Sequence, residues 1–132
     1  MGLAKGSFVV KLSPQRLAVG EADPSLARFS IEKTFSGDLE GVSQGEMLSA
    51  GTSVKGSAGY VAIERVRGDL GGRKGHFVLQ HSGTMSRGEP QLTVTVVPNS
   101  GVDGLAGLSG SMTISIVDKK HFYEFNYTLP DS

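Results

Sequence analysis

Cysteine is absent from this chain. That excludes a disulfide framework, a thiolate nucleophile and any Cys-ligated metal. Net charge is absent as well, Lys plus Arg and Asp plus Glu standing at 13 each. With no basic stripe interleaved with aromatics, nucleic acid is not the expected partner. No apolar run is long enough to span a bilayer, and the opening MGLAKGSFVV lacks the apolar core of a signal peptide. The expectation is a cytoplasmic protein with no membrane partner. There are three histidines and neither a His-x-His nor a His-x-x-x-His spacing, so no metal is expected. The glycine cluster GDLGGRKG (68–75) lacks the G-x-G-x-x-G spacing and opens no helix, and no G-x-S-x-G occurs. No cofactor is expected. Sustained helical periodicity is missing too. Only a turn around Arg16–Val19, in a loop from Gln15 to Ser25, offers helical room before Gly20 and Pro24.

Glycine is abundant, at 19 of 132 residues, about twice the usual roughly 7%. Among alternating strands it marks turns, bulges and sharply curved backbone. The length fits one domain, residues 1–132, able to bury roughly two-thirds of its unfolded surface.

Two alternating runs flank Gly71-Gly72, a favoured two-residue hairpin loop. Counting outward pairs Leu70 with Arg73, Val66 with Phe77, Glu64 with Leu79, Ala62 with His81 and Tyr60 with Gly83. Period 2 puts these on one face, an apolar inner one carrying Glu64, His81 and Tyr60. The opposite face pairs Asp69 with Lys74, Arg67 with His76 and Ile63 with Gln80, and looks outward. A second two-residue turn at Asp118-Lys119 pairs Ile116 with His121, Ile114 with Tyr123, Met112 with Phe125 and Gly110 with Tyr127, again with an apolar, aromatic face.

The remaining strands are less sharply bounded. Ser7–Ser13 is expected as a strand closed by Pro14. Phe29–Ser36 and Leu39–Ala50 are expected to form a hairpin about Gly37-Asp38. A two-residue turn there places Phe29, Ile31, Lys33 and Phe35 on one inward face with Val42, Gln44, Glu46 and Leu48. Glu46 and Lys33 would then make an inward ion pair, unless a bulge at Gly41 or Gly45 flips the later positions. Gln91–Pro98 is a strand with Leu92, Val94 and Val96 inward, Asn99–Gly104 a loop and Leu105–Val117 the next strand. About eight hairpin-connected strands suit an all-β fold, a closed antiparallel barrel holding side chains or one small ligand. A two-sheet sandwich is the alternative.

The segments SGDLEG (36–41), GSAGYVAIERVRG (56–68), GHFVLQHSGTM (75–85), VVPNSG (96–101) and HFYEFNYTL (121–129) resemble the bacterial domain of unknown function 3224 family. Its fold is similar to the allene oxide cyclase-like β-barrel. The resemblance runs from about Thr34 to Leu129. It implies a closed barrel of about eight antiparallel strands, often oligomeric, and no assigned activity.

Among the inner-face residues, Glu64 and His81 are the candidates for chemistry. A carboxylate among Val66, Leu70, Phe77 and Leu79 would be desolvated, its pKa pushed upward, and could serve as a general acid or base. It could equally be a structural carboxylate bonded to Tyr60 or His81. Glu46, Tyr60, Phe77, Leu79, Met112, Ile114, Tyr123 and Phe125 are the candidates for lining a ligand cavity. Three functions follow: a barrel binding a small apolar or amphipathic molecule, a cofactor-free isomerase, cyclase or lyase using the inner-face carboxylate, or a filled barrel serving assembly. Outward Val61 and Ile63 point to a homo-oligomer.

Overall fold

In the computed structural model, which describes residues 2–19 and 24–130, nine strands occur in chain order. They are β1 (Gly2–Gln15), β2 (Leu26–Gly37), β3 (Leu39–Gly51), β4 (Ala58–Leu70), β5 (Arg73–Ser86), β6 (Glu89–Val96), β7 (Val102–Asp103), β8 (Ser109–Val117) and β9 (Lys120–Thr128). Each strand but β7 pairs antiparallel with its neighbours in the order β1-β2-β3-β4-β5-β6-β8-β9, and β9 returns to β1. The result is a closed eight-stranded up-and-down barrel. The short β7 pairs with β5 at Gly75 and His76, short of the Leu79–Ser86 stretch where β6 pairs. No helix occurs among the described residues, and none is therefore long and apolar enough to cross a membrane. Ala18 and Val19 form a turn rather than a helix, and Gly20 and Asp23 lie outside the described residues.

Both two-residue turns hold the expected register through every pair. Gly71 and Gly72 take positive φ, as do Asp118 and Lys119, the geometry that matches the twist of the flanking strands. The β2–β3 connection departs from expectation. Phe35 pairs with Gly41, Lys33 with Ser43 and Ile31 with Gly45. Gly37 sits at φ +106°, and Asp38 is drawn toward β1, donating its N–H to the Lys5 carbonyl and accepting the Lys5 N–H on its carboxylate. One residue is thereby absorbed, and every later side chain of β3 changes face. Val42, Gln44, Glu46 and Leu48 point outward and are exposed, while Leu39 and Ser43 are buried. Glu46 therefore makes no inward pair with Lys33; it bonds Arg28 on the outer wall.

Several strand limits also differ, and the expected Asn99–Gly104 loop contains the short β7. β1 runs through Pro14, which pairs with Phe29, and starts at Gly2. Leu105–Leu108 is not strand but a tight turn, and its Leu105 and Leu108 plug the end of the barrel at which β6 stops and β8 starts. At that end the core is full. Phe77 stacks on Phe125 at 5.9 Å, and Leu39, Leu70, Leu79, Met112 and Tyr123 pack around them. The Tyr123 hydroxyl accepts the Leu39 N–H at 2.9 Å and donates toward the carbonyls of Ser36 and Leu39.

The opposite end is not filled. Leu12, Met85, Leu92 and Ile116 point inward by register, yet remain 47%, 44%, 42% and 64% exposed. The barrel wall is also thinnest here. β8 pairs with β9 at nine positions but with β6 only at Thr95 and Ser111. On the outer wall, a groove of about 930 Å³ lies between the β1–β2 connection (Leu17–Val19) and the exposed Leu48, Val61 and Ile63.

Gly45 lies opposite Glu64 in the β3–β4 ladder. A Cβ there would sit 2.0 Å from the Ile63 carbonyl oxygen and 2.6 Å from the Glu64 Cα. Only glycine lets the two strands approach this closely beside the buried carboxylate. Gly45→Ala is expected to destabilise the fold by about 1–3 kcal/mol through overpacking, measured by urea unfolding.

Candidate functional site

Midway down the barrel, four adjacent strands each send one polar side chain inward. Lys33 comes from β2, Ser43 from β3, Glu64 from β4 and His81 from β5, and they are the buried polar or charged residues among the described ones. The shift at Gly37-Asp38 is what brings Ser43 inside. Glu64 is at the centre and fully buried. Its Oε1 accepts the Ser43 hydroxyl at 2.7 Å, and its Oε2 accepts Lys33 Nζ at 2.8 Å and faces His81 Nε2 at 2.5 Å. Lys33 Nζ also lies 4.7 Å from the Phe8 ring centroid, a cation–π contact that shields it from water on that side.

The electrostatics differ from the sequence expectation. Burial does push the Glu64 carboxyl upward, but the His81 hydrogen bond and the charges of Lys33 and His81 outweigh it, holding the group down at about 2. Glu64 is thus a permanent carboxylate at neutral pH and accepts hydrogen bonds only. It follows that His81 Nε2 carries a proton and donates it to Oε2. That leaves Nδ1, which faces the Tyr60 hydroxyl at 3.5 Å, a long contact beside the others in the cluster. Tyr60 is half-buried and one pair nearer the unfilled end than His81. Burial and the Glu64 charge both raise the pKa of its phenol.

The structure therefore brings Glu64, His81 and Tyr60 together as the hairpin register implies. It adds Lys33, for which the sequence suggested Glu46 as partner, and Ser43, whose neighbours Val42 and Gln44 were expected inward instead. Glu46 is separated from the cluster on the outer wall. Phe77, Leu79, Met112, Tyr123 and Phe125 belong to the packed core at the filled end, with Ile114 partly buried against it. The rim residues Leu12, Met85 and Ile116 were not singled out from the sequence. Their signal was available in strand parity, continued to the strand ends. No group of three or more His, Cys, Asp or Glu residues able to hold a metal occurs among the described residues.

The chain matches a family model described as "Protein of unknown function (DUF3224)" over residues 4–127. No curated protein matches it. A crystal structure of a DUF3224-family protein of unknown function from Shewanella oneidensis MR-1 is similar, with 51% identity and a TM-score of 0.93. The alignment covers 100% of this chain and 99% of that one.

Glu64 makes stability depend on acid. Its folded pKa of about 2 lies below the ordinary 4.5, so folding favours the ionised form. The contribution is complete above pH 4.5 and is lost as pH falls toward about 2. It amounts to something on the order of 3 kcal/mol. Glu64→Gln leaves Lys33 without its counter-ion and is expected to cost about 3–5 kcal/mol at neutral pH. Urea unfolding at a series of pH values should show a steep acid slope in the wild type and a flattened one in the variant.

Proposed function

This chain belongs to the DUF3224 family, and from that premise we propose that it binds a small apolar or amphipathic molecule in the unfilled end of its barrel. The carrying observation is the contrast between the two ends. One is packed solid by aromatic and aliphatic side chains, whereas inward Leu12, Met85, Leu92 and Ile116 stay exposed at the other. Apolar side chains lining a concave, water-facing space are the usual setting for a ligand whose body is apolar. On this reading the floor of the cup would be the hydrogen-bonded Lys33–Ser43–Glu64–His81 cluster, with the half-buried Tyr60 hydroxyl above it. A ligand seated there would bury its apolar part against the rim and direct a polar group at Tyr60.

We further place a contact between copies of this chain on the outer wall. Leu48 and Val61 are cross-strand partners there, and Ile63 lies on the same outward face. Val19, 71% exposed on the β1–β2 connection, lines the same groove. Exposed apolar side chains gathered around one groove support an isologous contact, in which this face meets the same face of a second copy.

Two measurements test these readings. Native mass spectrometry and titration with the apolar fluorophore N-phenylnaphthylamine should reveal a bound molecule in the wild type. Ile116→Trp, which blocks the mouth without entering the packed core, should weaken fluorophore binding at least about tenfold with little change in melting temperature. Unchanged binding would remove the cup as the site. Light scattering should give a multiple of the 13.8 kDa chain mass, reverting to the monomer in Val61→Glu/Ile63→Lys. A wild-type monomer at micromolar concentration would end the oligomer proposal.

A further inference from the structure

β1 and β9 separate toward the unfilled end. Their ladder runs from the pair Gly2 and Tyr127 to the pair Phe8 and His121, one residue from the start of β9, and stops there. β1 continues to Gln15 with β2 alone beside it. The gap is a cleft of about 400 Å³, lined by residues 7–10 of β1 and by Lys119, Lys120 and His121. Phe8, Val10 and His121 lie on the inward face by register, Ser7 and Val9 on the outward one, so the cleft crosses the wall. It is also cationic. The side chains of Lys119, Lys120 and His121 make no hydrogen bond or ion pair among the described residues. Asp118 is the one carboxylate of the turn, and Glu32, the one on β2, stands opposite Lys11 on the outer wall. The His121 ring packs against Phe8, with centroids 5.1 Å apart, and its cross-strand partner is Ile116, the most exposed of the inward rim residues. An imidazole without a polar partner thus stands between exposed apolar surface and two unpaired ammonium groups.

We infer that this cleft is the head-group subsite of the cup, and that the occupant is an amphipathic anion, an apolar body ending in one carboxylate or phosphate. This rests on the reading of the unfilled end as a ligand site and names the ligand class. The apolar body lies against Leu12 and Ile116, and the anionic head meets His121, Lys119 and Lys120. Tyr60 is the wrong place for that charge. Burial and the Glu64 carboxylate already raise the pKa of its phenol, and the same field disfavours a second anion there. Tyr60 is left to a neutral oxygen of the ligand body. Lys33 does not compete for the head, because its charge is spent on Glu64. The two lysines are flexible point charges at an exposed rim, so their attraction for the head is screened by salt.

N-phenylnaphthylamine and anilinonaphthalene sulfonate share one aromatic body and differ by a single sulfonate, so their affinities separate body from head. The wild type should bind both at low salt. His121→Gln and the double variant Lys119→Asn/Lys120→Gln should each weaken the sulfonate at least about tenfold, and N-phenylnaphthylamine by less than about twofold. Asn tolerates the φ of +68° at position 119, and both lysines are exposed, so the double variant keeps the fold. In the wild type, about 0.5 M NaCl should weaken the sulfonate and not N-phenylnaphthylamine. Decanoate and decyl phosphate should displace the sulfonate at concentrations where decanol does not, and the better competitor identifies the head. Equal loss of both fluorophores in the double variant, salt-independent sulfonate binding, or decanol competing as well as the two anions overturns the anionic subsite. N-phenylnaphthylamine binding without sulfonate binding overturns it and leaves the cup intact. Failure of both fluorophores overturns the cup and the inference together.

Discussion

A single ionised carboxylate in a barrel interior constrains everything around it. Glu64 has no access to water, and an uncompensated charge there would cost several kcal/mol. Compensation comes from three other strands, so one side chain fixes the mutual registers of β2, β3, β4 and β5. A one-residue slip in any of these ladders would turn a partner to the outer wall and leave the charge bare. The cluster makes wrong pairings more costly than it makes the right one favourable. That is a service to specificity of fold.

The cluster also divides the barrel into two halves of different character. Below it, Tyr123 ties Leu39 and Ser36 together and the Phe77–Phe125 stack fills the interior. Above it, inward side chains meet solvent. The filled half carries most of the hydrophobic burial, and the inward side chains of the other half contribute less. The polar layer between them is rigid because its bonds are short.

How much of this could be read from the residues depended on the turns. Where two residues of suitable conformational freedom stood between alternating runs, as at Gly71-Gly72 and Asp118-Lys119, every cross-strand pair followed by counting. Glu64, His81 and Tyr60 were legible as neighbours for that reason. At Gly37-Asp38 the local residues suggest the same turn, but Asp38 is bonded to Lys5 on a strand 33 residues earlier. A tertiary contact decided the parity, and no local pattern in β3 reveals it. Lys33 as the partner of Glu64, and the downward pull on the carboxyl that follows, were hidden by the same single-residue shift. Leu105–Leu108 misled differently. Two leucines spaced three apart continue an apolar run toward β8, and only the surrounding glycines at 101, 104 and 107 hint at a plug.

The weak β6–β8 seam bears on time rather than on affinity. With one registered pair holding those strands, widening the mouth at that side breaks few backbone hydrogen bonds, while the other seven ladders stay closed. That side of the wall can therefore part without unfolding the barrel. On the proposed reading, an occupant would not have to wait for global opening to leave, and its residence time would follow the frequency with which this seam parts. Molecules longer than the cup is deep could protrude through it sideways. The seam would therefore set both how quickly an occupant exchanges and how large an occupant the barrel tolerates.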